Sequence, residues 1–519
     1  MLRSLVLVVI LFCAALPVAE AATYRRGKNK IPGRYIVMFN DHVHAADVDR
    51  VAMALSRQHG GKLLGTMKHA MRGFGVQMSD VQARALLLHP FVAQVEEDEY
   101  VSVAADAPPR PSFDLAAAGG RLRTAAPRAE STTACPWSPN GYYVCSYTND
   151  DSWWLDRIDN AGLLYSYKAY GYNSMGTGVR AYVVDSGVWY GHTEFDTRVE
   201  AGANMTVDAD ANDPVGGGGE PATEEPPIAA DYSPANDPCN FNASQVVYHG
   251  TAVASLIGGN TRGVAKNVTI VPVKVISCVD SQGSKLTVAR GLDWIQSDMA
   301  ARRSESQPLS GPRALVNISM FFDSAVRSQG HAYVESQETC EDGAGGFTNC
   351  LSALEHEVNE LVRKEIPVIT SANNQNNGNC TTSPARLGHG GRHPTNHHTI
   401  TVGATAYVTN TNGTYTDVKS ANSNFGPCVS IFAPGSSLSV AYKDASGAST
   451  FIPFTTGGTS FASAIVSGAV ARLLQQYPTL TASQVWTELQ NRAAQRTVQP
   501  PNFDPSGFNN RLLYIRATE

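Results

Sequence analysis

Runs of apolar residues change their spacing along the chain, and the changes mark out its parts. Between 31 and 104, period-two runs (RYIVMF, GFGVQM, VAQVEED) alternate with helical spacing at about 47–58 and again after Ser79, where Ser79 and Gln82 form a capping box. This order predicts a small βαββαβ, ferredoxin-like domain. Between 105 and 150 apolar periodicity fades, and from Asp106 to Thr133 Ala, Pro, Gly and Arg dominate, so the stretch reads as an exposed linker open to proteolysis. From 151 to 519 the β-branched runs RAYVV, VTIVPVKV, ALVNIS, IPVITSA and HTITVGA are separated by helical patterns such as 285–299 and 351–364. That alternation predicts an α/β fold, a mainly parallel sheet covered by helices, with functional groups at the carboxyl ends of strands. Asp185 stands at one such end. Thr481 and Gln484 form a second capping box. Two polar inserts, 205–245 and 322–350, interrupt the pattern.

Composition narrows the class. With 519 residues, 43% apolar and 17% charged, the chain can bury a large core. A net charge of -6 gives no reason to expect nucleic acid or an anionic membrane surface as partner. The start, MLRSLVLVVILFCAALPVAEAA, has a basic residue, an apolar core and a small-residue cleavage site, so 1–21 reads as a secretory signal and not as a membrane anchor. The expected location is extracellular, or the lumen of the secretory or lysosomal pathway. Nine cysteines less Cys13 leaves eight, an even number suited to disulfides, with Cys135–Cys145 and Cys340–Cys350 the expected neighbour pairs. No C-x-x-C spacing supports zinc. Sequons at Asn204, Asn242, Asn267, Asn379 and Asn412 suit an exported glycoprotein, whereas the one at Asn317 lies in an apolar strand. Asp208, Asp210 and Asn212 begin a calcium-loop spacing, but Asp213 and Gly219 break it, so no metal ligands are assigned.

The segment GGTSFASAIVSGAVARLL poses a choice for Ser460: helix N-cap or nucleophile. A nucleophile needs a base and an orienting carboxylate, and YVVDSGV around Asp185 and HGTAVASLIGG from His249 supply both types. Taken in order, these three segments, with His192-Thr-Glu-Phe195, Ser423-Asn-Phe-Gly426 and Ile431-Phe-Ala-Pro-Gly435, resemble the subtilisin-like serine peptidase family. The proteinase K-like branch looks nearest. The resemblance implies a serine endopeptidase acting on proteins or peptides, with Ser460 as nucleophile, His249 as base and Asp185 as its orienter. It also maps an oxyanion donor to Asn373 in VITSANNQNNGN, leaves His192 a structural role, and implies no required cofactor.

The pattern also departs from the family. Ala252, Ala372 and Ala464-Ile465 replace usual family residues without removing a catalytic group, and Met320-Phe321-Phe322 stands where relatives carry small glycines. Ser430 replaces an aspartate that relatives use for calcium, so calcium has no located site here. IPGRYIVMF and VAQVEEDEYVSV resemble the family's inhibitor-type propeptide, which implies an autoinhibited zymogen, with 31–104 as its own inhibitory partner and self-cleavage at 104–107. A monomer is expected. The bulk of Phe321 and Phe322 motivates an alternative, a catalytically impaired regulatory or binding protein on the same scaffold. The acidic insert motivates a weaker one, a calcium-dependent adhesion domain.

Overall fold

The computed structural model describes residues 22–103, 135, 142–146, 152–160, 169–206, 249–276, 283–322, 339–341, 347–378, 382–388, 399–409, 415–443, 448–454, 458–493, 510–516 and 518. The signal segment, most of the linker, the acidic insert with Asp208, Asp210 and Asn212, and the sequons at Asn242, Asn379 and Asn412 lie outside them.

The larger unit is built on the expected parallel sheet. Its strands run in the order Ala203–Asn204, Thr269–Lys274, Val179–Asp185, Arg313–Ile318, Val368–Ser371 and Ile400–Thr409, all parallel, before antiparallel Tyr415–Lys419 closes the edge. Val179–Asp185 is buried along its whole length because helices cover both faces. One face carries His249–Gly258, Thr459–Gln476 and Ala482–Ala493, and the other Lys285–Arg302 and Ala353–Arg363. The chain leaves Val179–Asp185 toward one neighbour and later returns on its other side, so Asp185 stands at the point where strand order reverses. Helices His249–Gly258 and Thr459–Gln476 pack together, and Gly468 is required near their contact. A Cβ there would lie 2.6 Å from Val264 Cβ and 2.8 Å from Ile257 O.

The smaller unit is the expected βαββαβ: Lys30–Phe39, Val48–Gln58, Lys62–Met67, Gly73–Gln77, Asp80–Leu86 and Val92–Val103. Its Ser79 capping box forms as predicted. The sheet continues beyond this unit. Thr23–Arg25 pairs with Val92–Val103, and then Thr339–Glu341 and Phe347–Asn349, from the second insert, extend the edge. Cys340–Cys350 bridges that hairpin, and Cys135–Cys145 also forms, so both expected disulfides occur. Tyr143–Ser146, within the expected linker, pairs with Ala169–Tyr172, and Cys145 is buried in the larger unit's core.

The two units meet through carboxylates. Val92–Val103 carries Glu96, Glu97, Asp98 and Glu99, all buried. Asp98 Oδ1 accepts from Leu286 N at 3.1 Å and Glu96 Oε2 from Ala353 N at 2.8 Å, so each satisfies a free amide at a helix start in the larger unit. Lys285 Nζ lies 3.0 Å from Glu96 and also pairs with Glu99. Gly75 lets the small sheet press on Lys285–Arg302, since a Cβ would meet Leu286 Cδ2 at 2.2 Å.

Farther along the interface the acids belong to the larger unit. Asp293 Oδ1 accepts from Lys68 N at 2.9 Å and His69 N at 2.6 Å, while Glu357 accepts from Met71 N at 3.2 Å and Gln296 Nε2 at 2.7 Å. Burial pushes both carboxyls up, and Asp293 and Glu360 push Glu357 further against the opposing charge of Lys364. His69 opposes the rise at Asp293. A carboxyl raised in the folded chain holds its proton longer there than in the unfolded chain. Its effect therefore favours folding at low pH and is lost as pH rises from the ordinary glutamate range near 4 through the raised value. We expect the full-length chain to lose melting temperature across that window and Glu357→Gln to lose less. Thermal melts of Ser460→Ala and Ser460→Ala/Glu357→Gln from about pH 5 to about pH 8.5 check this, and parallel curves contradict it.

Candidate active site

Asp185 ends its strand fully buried. Ser186 N donates to its Oδ1 at 2.7 Å, and both carboxylate oxygens lie 2.9 Å from His249 Nδ1. A proton on Nδ1 donated to that carboxylate leaves Nε2 as the ring's acceptor. His249 opens helix His249–Gly258, and Gly250 lets this helix start approach the strand end. A Cβ at Gly250 would come 2.2 Å from Gly187 O and 3.1 Å from Asp185 Oδ1.

The imidazole stacks beside Phe461, the residue that follows Ser460, with ring centroids 5.8 Å apart. Ser460 lies in the first turn of Thr459–Gln476, but the N-cap is Gly458 and no side chain caps the helix. The N-cap reading of Ser460 is therefore replaced. Its hydroxyl donates to Ser319 O at 3.2 Å; among the described residues it makes no hydrogen bond to His249. Catalytic hydrogen bonds commonly form only when substrate arrives.

Asn373 follows Val368–Ser371 with φ of 82°, a left-handed conformation that asparagine tolerates better than most residues. It is fully buried. Its carbonyl accepts from Asn424 N at 2.8 Å and its Oδ1 from Asn374 N at 2.5 Å, while Nδ2 has no partner among the described residues. Asn374 Oδ1 accepts from both Thr459 N and Thr459 Oγ1, each at 2.9 Å. Phe461 N and Ala462 N turn back to Gly458 O at 3.2 and 3.3 Å. Of the four amides in the helix's first turn, Ser460 N is then the one without an acceptor among the described residues. Among the described residues three donors here lack an acceptor: Asn373 Nδ2, Asn374 Nδ2 and Ser460 N–H.

A buried polar chain fixes the helix to the sheet. Asn317 Nδ2 donates to Ser319 Oγ at 2.7 Å, Ser319 Oγ donates to Ser460 O at 3.2 Å and meets Ser463 Oγ at 3.1 Å, and Ser467 Oγ donates to Asn317 Oδ1 at 2.9 Å. Asn317 is inaccessible, as its apolar strand predicts. Lys419, whose ammonium burial pushes down to about 8, donates to Asn376 Oδ1, Ser420 O and Ser423 O and braces the asparagine turn.

His192 plays no part in this chemistry. Buried between Trp189, Phe195 and Phe451, it lies 3.0 Å from Thr450 O through Nε2 and accepts from Glu194 N through Nδ1. Burial pushes its pKa down. Ser430 Oγ accepts from Thr401 N at 3.1 Å and donates to Thr399 O at 3.4 Å, so the position offers calcium no carboxylate and does not fit that ion. The sequence pattern alone gives Asn374 no role and does not link Asn317 or Ser319 to the site.

Residues 176–510 match the subtilase family and residues 34–104 the peptidase inhibitor I9 family. The extracellular serine proteinase of Thermus sp. (strain Rt41A) is 30% identical over 490 residues, covering 93% of this chain and 90% of that protein. The alkaline serine exoprotease A of Vibrio alginolyticus is 29% identical over 493 residues, covering 93% and 67%. Among solved structures, fervidolysin from Fervidobacterium pennivorans, a keratinolytic enzyme related to subtilisin, superposes with a TM-score of 0.54 at 16% identity, over 96% of this chain and 62% of that one.

Asn317→Ala leaves the buried Ser467 Oγ without its acceptor and removes the donor on Ser319. We expect about 1–3 kcal/mol of lost stability. Thermal melts of the Ser460→Ala chain with and without the change measure it.

Proposed function

Since the chain belongs to the subtilase family and is a serine-type endopeptidase made as a zymogen with an inhibitor-type propeptide, we propose that it is secreted and cleaves proteins through Ser460, His249 and Asp185. The observation that carries this reading is His249 Nδ1 bonded to both oxygens of Asp185, with the ring stacked on Phe461 at the helix start that carries Ser460. In the reaction the Ser460 hydroxyl leaves Ser319 O for His249 Nε2, gives up its proton there and attacks the substrate carbonyl. Asp185 holds the ring and stabilises its cation, and the imidazolium then protonates the leaving amine. Asn373 Nδ2 and Ser460 N–H receive the oxyanion. No cofactor is required by these steps.

The zymogen reading draws support from the tail of the small unit. Val103, Ser102 and Val101 pair antiparallel with Met320, Phe321 and Phe322, and Tyr100 and Val101 with Ser284 and Gly283. A peptide strand held on both sides in this way is how a sheet edge recognises an extended ligand. It also makes the Met320–Phe322 segment a strand that accepts a peptide, which favours the enzyme over the capped binding protein. The register runs toward Ser319, whose carbonyl meets the Ser460 hydroxyl, so we assign self-cleavage to the 104–107 stretch that follows, which lies outside the described residues. We accordingly take 1–21 as signal and 31–104 as propeptide, and the packing of Cys145 and Cys135 against the larger unit's core extends the peptidase upstream of the expected 151–519. The extracellular relatives support secretion, and among the described residues no helix is long and apolar enough to cross a membrane.

An active-site-directed fluorophosphonate should label the processed wild type and not Ser460→Ala, and N-terminal sequencing of processed protein should begin within 105–108. Absence of labelling after the propeptide is removed would return the chain to the binding-protein alternative. Asn373→Ala should lower kcat by about 10²–10³-fold, the usual loss for one oxyanion donor, measured with active-site-titrated enzyme on a peptide amide.

A further inference from the structure

We propose that the segment ahead of the inhibitor-type domain is a clip: Thr23–Arg25, seated on the peptidase strand Thr339–Glu341, holds the propeptide in place after the chain has cut itself. The inference rests on the reading of 31–104 as a propeptide freed by self-cleavage at 104–107.

The clip lies outside the matched inhibitor family, which begins at residue 34. Its strand fills a slot between two edges. On one side it runs parallel to Val92–Val103, with Thr23 opposite Gln94, Tyr24 opposite Val95 and Arg25 opposite Glu96. On the other it runs antiparallel to Thr339–Glu341, with Tyr24 opposite Glu341. A backbone ladder therefore joins propeptide to peptidase at a place where neither chain end is cut.

Side chains decide which neighbour the clip stays with. Tyr24 is buried; its hydroxyl donates to Asp80 Oδ1 at 2.9 Å with Glu97 Oε1 at 3.2 Å, and the Arg84 guanidinium covers its ring at 3.9 Å from the centroid. Arg25 pairs with buried Glu96, Gly27 N donates to Glu97 Oε2 at 2.9 Å and Lys28 N to Glu99 Oε1 at 2.7 Å. Pulling the segment away would strand these buried carboxylates, so it travels with the propeptide. Its hold on the peptidase is lighter: the ladder, Arg26 to Glu341 at 2.6 Å and Arg84 to Glu341 at 3.5 Å. Exposed ion pairs contribute little, so the ladder is the main grip and the charges set its register.

Position gives the clip its effect. Tyr24 lies opposite Val95, while the tail pairs with Met320–Phe322 from Val101 onward, about 20 Å farther along the same strand. Between them Glu96 and Asp98 hold the helix starts at Ala353 N and Leu286 N. Self-cleavage at 104–107 loosens the tail in the cleft and leaves the opposite end fastened. A tail that lifts out is kept beside the cleft and rebinds before the propeptide diffuses away. Cutting and activity are then separate events, and the clip sets the interval between them.

The test follows full-length chains. The interval between the processed band on a gel and the onset of peptide-amide hydrolysis is the latency. A chain lacking 22–26 should process normally and show a latency shorter by about tenfold or more, since one of two linked attachments is gone. Glu341→Lys, which leaves the propeptide untouched and sets a cation against Arg26 and Arg84, should shorten it by about threefold or more. Final kcat/KM should stay within about twofold of wild type in both, because the deletion yields the same processed enzyme and Glu341 lies away from the cleft. An unchanged latency in the deletion overturns the proposal, as does a wild type that is active as soon as it is cut. A shorter latency in the deletion beside an unchanged one in Glu341→Lys also overturns it, since the segment would then act only through the propeptide's own stability. If the shortened chain does not fold, Glu341→Lys decides in the same terms. A wild type that never cuts itself and never takes the fluorophosphonate label sinks the underlying reading instead.

Discussion

The geometry of the site depends on how closely two helices can approach. His249–Gly258 brings the imidazole and Thr459–Gln476 brings the hydroxyl, and each is anchored to the sheet at its own end. Near their contact Gly468 presents no side chain to Val264 and the Ile257 carbonyl, where any Cβ would be in collision. The run of Ala, Ser and Gly in this helix therefore sets how near the start of Thr459–Gln476 lies to the start of His249–Gly258. Interiors packed to crystal density do not absorb such a clash locally; they shift the helix.

From that spacing the polar architecture follows. Because the helix lies close to Arg313–Ile318, its buried serines can be satisfied by Asn317 and Ser319 without intervening water. The Ser460 side chain does not cap the helix, because Gly458 holds the N-cap position and Asn374 accepts from the amide beside it. Several small residues thus divide tasks that one capping serine performs in an ordinary helix.

Legibility in the sequence followed the range of the interaction involved. The β-branched runs, Asp185 at a strand end, His249 at a helix start and both capping boxes depend on local pattern, and each was readable. The two disulfides were readable from spacing because each closes a short loop. Lys62–Met67 was not, since KLLGTM has little alternation and Gly65 interrupts it with a φ of 133°. Tyr143–Ser146 and the hairpin of the second insert were hidden because each becomes a strand only through a distant partner. Ser319 and Asn374 share that reason: each matters through a backbone or side-chain atom of the Thr459–Gln476 helix start, and nothing next to either residue announces it.

The hairpin of Thr339–Glu341 and Phe347–Asn349 joins the larger unit to the smaller one. It lends hydrogen bonds to Thr23–Arg25, which in turn lies against Val92–Val103, so one continuous sheet crosses from peptidase to propeptide. Were residues 22–104 released, as the proposed processing requires, Thr339–Glu341 would lose its neighbour and keep a bare rim of amides and carbonyls, stiffened by the Cys340–Cys350 bridge. An unpaired rim of this kind is adhesive toward any extended chain. The processed form would thus carry a sticky border that the full-length chain keeps covered.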